Sequence, residues 1–262
     1  MKLTVSVKNA TGEVLATATG ENRVFLDYHA AYQEGDVLCL ESDETGYVVA
    51  QLEDSLNETF GLLKGEATLP VPFEARRICY SSKSFTGEVH LLWARVATEA
   101  EISARRNLAL NPMDCHANQG LFPHASANVE TRGEASFEAR NAIDGLFANH
   151  GHGVYPYSSW GINRDPNAAL TIDFGRPVTV DEVVITLRND FPHDNWWQSA
   201  VIRFDDGSSE NLSFEKVDYP QHTAIAPRTV RTATLEQLIQ CPDDPAPFPA
   251  LTQIELWGTE VR

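Results

Sequence analysis

Ten consecutive residues, Arg188 to Trp197, gather the side chains that a sugar-binding loop needs. Arg188, Asp190, His193 and Asp194 offer donors and acceptors for hydroxyl groups, and Trp196 and Trp197 offer flat apolar faces for the C–H side of a pyranose ring. The apolar residues on either side alternate in a strand-like way, so the segment reads as a loop at one end of a β-sandwich. The same composition suits a plug, with both Trp closing the end of the sandwich and Arg188 paired to Asp190 or Asp194. Adjacent residues in an extended chain face opposite ways, so one Trp is expected in the core and the other toward ligand.

A second aromatic segment, His150 to Trp160, adds Tyr155, Tyr157 and Trp160, with Gly151 and Gly153 allowing close backbone approach. It reads equally well as a stacking wall beside the first loop or as a Tyr-Pro-Tyr cover packed onto its own domain. His150 and His152 share one strand face at their spacing, and with His116 or His124 would make a zinc site. No Cys pair or HExxH motif accompanies them. For catalysis, the sequence has no G-x-S-x-G elbow, P-loop or GxGxxG. The pairs Asp205-Asp206 and Asp243-Asp244 read as turn residues. The expectation is a protein that is not an enzyme.

The elements that must position these loops are short strands. Leu3, Val5 and Val7 alternate, and strands follow around 14–19, 36–40, 47–52 and 88–93. Pro70 and Pro72 mark an edge. Residues 97–106 change texture, with helix formers behind a capping Thr98. The strand pattern then resumes with Leu170, Ile172 and Phe174, with Val183, Ile185 and Leu187, and with Ala200, Ile202 and Phe204 before an Asp206-Gly207 hairpin signal. It closes with Thr252, Ile254 and Leu256. Only residues 234–240 read as helix. The expectation is an all-β chain of two antiparallel β-sandwich (jelly-roll) domains, 1–98 and 107–262, joined by a linker at 99–106.

The net charge of −17 is spread over the chain, −7 in residues 1–100 and −10 in the rest, with no basic run. Nucleic acid and anionic membrane surfaces are therefore disfavoured as partners. Cys39, Cys79, Cys115 and Cys241 have no metal-ligand spacing and read as free, mostly buried thiols. With no signal-like h-region at Met1 and no apolar run of membrane length, a cytoplasmic location is expected, unless an export signal has been trimmed away.

The second half resembles the discoidin, or coagulation-factor C-type, domain of the galactose-binding-like jelly rolls. The resemblance rests on pieces in family order: Asn107-Leu108-Ala109, then Ala139-Arg140-Asn141-Ala142-Ile143-Asp144-Gly145, then Trp160, then Leu170 to Gly175, and finally Ile254-Glu255-Leu256-Trp257-Gly258. The stretch from Leu146 to Ser159 enlarges a loop that is short in the family. The resemblance implies carbohydrate recognition through loops at one end of the jelly roll, which favours as ligand-binding the residues read above: Arg188, Asp190, His193, Asp194, Trp196, Trp197, Tyr155 and Trp160. It also implies a structural calcium ion beside the Asp144-Gly145 turn, held by backbone carbonyls, Asp144 and the closing-strand carboxylate Glu255. The competing readings are a protein–protein adaptor, self-association into a homo-oligomer included, and a glycan-active enzyme with its site at the domain junction.

Overall fold

The computed structural model describes residues 1–148, 151, 153–189 and 195–261. Eight strands build the first half: β1 (Lys2–Lys8), β2 (Val14–Glu21), β3 (Arg23–Tyr28), β4 (Val37–Ser42), β5 (Gly46–Gln51), β6 (Thr59–Leu63), β7 (Glu66–Pro70) and β8 (His90–Val96). One sheet runs β2-β1-β4-β7, and a second places β6, β5, β8 and β3 side by side. Alternation, strict in β3 and broken in β1 only by the buried Ser6, sends Leu3, Val5, Val24 and Leu26 into one core between the sheets. Pro70 ends the edge strand β7, where its missing N–H costs no ladder bond.

Helix α1 (Glu99–Ser103) follows, started by a capping box between Thr98 and Glu101. The chain then pairs β9 (Arg106–Asn107) with the closing strand of the second half, yet goes back. Met113 enters the first core, and β10 (Leu121–Phe122) adds to β6 at the edge of the second sheet. Only from β11 (His124–Ala127) does the chain stay with the second core.

The second half is one antiparallel sheet curled round its own core. It contains β12 (Trp160–Gly161), β13 (Leu170–Arg188), β14 (Trp197–Phe204), β15 (Ser209–Ser213), β16 (Gln221–Gln240) and β17 (Ala250–Glu260), in the order β12-β17-β13-β16-β14-β15. The two strands read in the sequence at 170–174 and 183–187 are one continuous strand, β13. Its register against β16 shifts between Asp173 and Val178, and Gly175 there has φ 68°. The Asp206-Gly207 signal forms the β14–β15 hairpin. No described helix is long and apolar enough to cross a membrane.

The helix expected at 234–240 is instead the end of β16. Leu235 and Leu238 are both buried, an i, i+3 spacing that mimics one helix face. The spacing arises from a bulge. Gln237 has φ 52°, and the register against β14 shifts so that Val201 faces Glu236 while Ser199 faces Ile239.

Where the two cores meet, Glu260 is buried at the end of β17. Its carboxylate accepts hydrogen bonds from the Tyr47 hydroxyl at 2.7 Å and Arg176 Nε at 2.9 Å, and Arg106 donates to its other oxygen. The Arg106 guanidinium lies 3.8 Å from the centre of the Phe60 ring.

Candidate functional site

The loop-bearing end of the second sheet carries a cleft of about 180 Å³. Arg188, the last residue of β13, forms part of its lining. Strand alternation and the closure of the sheet leave Arg188 only 1% exposed, so its guanidinium is held rigidly. Nη2 donates to the Gly151 carbonyl at 2.6 Å, and Nη1 lies 3.4 Å from Ser159 Oγ. Gly151 and Ser159 thus hold Arg188 at the strand end.

The rest of the lining comes from segments the sequence did not single out. Thr131, Arg132 and Phe137 supply one wall, Gly161 to Arg164 a second, and Phe248 to Ala250 the third. Arg164 lies 4.7 Å from the centre of the Phe248 ring, and Arg132 lies 5.7 Å from that of Phe137 while pairing with Glu134. Phe248 is 40% exposed and presents an apolar surface to solvent. Thr131 Oγ1 accepts the backbone N–H of Asn163 at 2.9 Å and ties two walls together. Gly161 is required at that join, because a Cβ there would sit 2.6 Å from Thr131 Oγ1.

The backbone here is strained. Of seven described non-glycine residues with positive φ, three line this one cleft: Arg132, Asn163 and Arg164, at 54°, 49° and 60°. Each such conformation costs on the order of 1 kcal/mol and persists where packing fixes it, commonly at binding sites. Asn163 carried a weak sequence signal, since Asn tolerates the left-handed region. Nothing in the sequence marks the two Arg.

The expected site residues separate into groups. Trp197 and Trp160 are fully buried against each other, ring centres 6.2 Å apart, and Trp160 Nε1 donates to the Val129 carbonyl at 3.0 Å. Both act as core, and Trp196 packs half-buried on the same core, so one Trp of the adjacent pair is fully buried and the other is not. Tyr155 is 40% exposed but lies on another side, where its backbone N–H donates to the Ile78 carbonyl of the first half. Asp190, His193 and Asp194 lie outside the described residues, as do His150 and His152. His116 pairs with Glu130, and His124 pairs with Asp114. The four thiols are free, with Cys115 half-buried and the others buried.

The two side chains expected to hold calcium are engaged with protein donors. Asp144 is buried, but its Oδ1 already accepts the Leu146 N–H and the Gln253 side-chain amide, each at 2.8 Å. Glu255 instead accepts the Trp257 indole N–H at 2.9 Å. Among the described residues no group of three His, Cys, Asp or Glu is placed to hold a metal. Burial pushes the Asp144 carboxyl up to about 7, against the opposing pull of the Leu146 N–H, nearby Arg140 and Gln253.

Solved structures that share a likeness with this chain include the following three. The chitosan-binding module 1 of a chitosanase/glucanase from Paenibacillus sp. IK-5 is 18% identical, with 58% of this chain and 99% of that one covered and a TM-score of 0.40. The family 32 carbohydrate-binding module of C. perfringens NanJ, in complex with galactose, is 17% identical, with 51% and 91% covered and a TM-score of 0.39. A Streptococcus pneumoniae fucose-binding module is 13% identical, with 59% and 96% covered and a TM-score of 0.42. No protein-family model and no curated protein matches the sequence.

Proposed function

We propose that this chain is a non-catalytic carbohydrate-binding protein that holds a glycan in the cleft at the end of its second sheet. The observation that carries the reading is the convergence there of three Arg, one Asn and two Phe on a strained, pre-fixed backbone. Arg and Asn are planar hydrogen-bonding groups that match neighbouring hydroxyls, and an exposed phenyl face suits the apolar side of a sugar ring. The cleft is smaller than the roughly 300–1,000 Å³ of pockets for drug-sized ligands, which suits one ring of a glycan. Arg188 acts as a rigid floor, with Arg164, Asn163 and Phe248 at the rim.

A charged hydrogen bond contributes roughly 1.5–3 kcal/mol, and covering half a phenyl ring adds about 1–2 kcal/mol. After the entropy of association, binding falls in the micromolar to millimolar range and gains from multivalency. A glycan array with the whole chain identifies a ligand, and calorimetry then compares variants. Phe248→Ala and Arg164→Ala alter exposed rim groups, so both should fold and bind at least about tenfold more weakly. Parent-like affinity in both folded variants would place the binding site elsewhere.

A further inference from the structure

The Asp144-Gly145 turn is where a cation is implied by the resemblance, and the structure fills that place with another group. Three oxygens converge there on a single nitrogen. The Asn141 carbonyl, the Thr252 carbonyl and Asp144 Oδ1 lie 2.7, 2.7 and 2.8 Å from Gln253 Nε2. Gln253 Oε1 in turn accepts the Gly145 N–H at 3.0 Å. Asn141 and Thr252 are 0% exposed, Gln253 is 2% exposed and Asp144 is 6% exposed.

We propose that the Gln253 amide closes this turn in place of a cation, so that the fold of this chain is independent of calcium. Two buried carbonyls and a carboxylate facing one point form a nest of partial negative charge. Ca²⁺ satisfies such a nest at about 2.3–2.6 Å. The distances here are those of N–H···O hydrogen bonds instead. An amide brings only two protons to the three oxygens but adds an acceptor for Gly145, which a metal lacks. It therefore binds both ends of the turn to β17. One pleat along, Glu255 lies on the same face of the strand as Gln253 and accepts the Trp257 indole N–H.

The test is thermal melting of the whole chain in EDTA and in 10 mM calcium chloride (about ten millimolar being ample for a structural site). The parent should melt within about 1 °C in both buffers, since a ligand that does not bind the folded state cannot stabilise it. Gln253→Glu places a second carboxylate beside Asp144. It should melt roughly 5 °C or more below the parent in EDTA and regain most of that in calcium. Gln253→Met removes the amide without adding charge, so it should lose stability and ignore calcium. If Gln253→Glu folds only with calcium, refolding yield in the two buffers reads the same response. A parent stabilised by roughly 3 °C or more in calcium overturns the proposal. So does a Gln253→Glu chain that shows no calcium response or that folds in neither buffer.

Discussion

Asp144 and Glu260 are both carboxylates buried in the second half, 6% and 8% exposed, yet they carry opposite electrostatic characters. Burial alone would raise both. At Glu260 the Arg176 guanidinium, with Tyr47 and Arg106, outweighs burial and holds the carboxyl below its usual range. At Asp144 the direct hydrogen-bond partners are neutral amide N–H groups. Burial wins there, and the carboxyl rises to about 7. The pair teaches that depth does not decide the charge of a buried carboxylate. What decides it is whether the partner that reaches it brings a full positive charge or only a dipole.

The sharpest way to break this comparison is to remove Glu260. Glu260→Ala leaves Arg106 and Arg176 without their common partner and should cost about 3–5 kcal/mol in denaturant unfolding. A loss under about 1 kcal/mol would mean that the cluster is structurally inert.

The second comparison is in pH. Asp144 binds its proton more tightly in the folded chain than in the unfolded one. Its contribution to stability is therefore full below the unfolded value of 3.8 and is lost as pH rises through about 7. Glu260, with its carboxyl lowered, contributes stability above the usual glutamate range and loses it as pH falls. Asp144→Asn, which keeps the Oδ1 acceptor for Leu146 and Gln253, should remove the first slope. The variant should gain on the parent between pH 4 and pH 8 in paired melts, and equal differences at both ends would refute the assignment. The smallest effect is expected at Gln237. Gly there should stabilise the chain by about 0.5–1 kcal/mol, because positive φ costs glycine nothing.

Much of the fold was legible because period-two burial is written directly into the residues, as in β3 and the start of β13. The segment at 234–240 misled because a bulge inserts one residue and turns a strand period into an apparent helical one. The strand at 170–188 was read as two because its middle, Gly175-Arg176-Pro177, looks like a break while the hydrogen bonding resumes beyond it. Of the candidate site, Arg188 was legible as a strand-end cation. Arg132, Arg164 and Phe248 were not, since they lie far apart in the chain and only the curl of the sheet brings them together. Composition shows the aromatic pair Trp196-Trp197 but not which of the two is buried; it is Trp197 that is fully buried, with Trp196 half-buried. Gln253 gave no signal, because an amide in a closing strand is unremarkable until the three oxygens around it are seen.

The route of the chain around α1 has a mechanical meaning. After β8 the backbone touches the second core at β9, returns to the first with Met113 and β10, and only then departs for good. The two halves are therefore sewn with a back-stitch rather than joined like beads. Swivelling one against the other would tear β10 from β6 and pull Glu260 away from Tyr47. The cleft at the far end of the second sheet consequently points in one fixed direction relative to the first half, as a tool does in its handle.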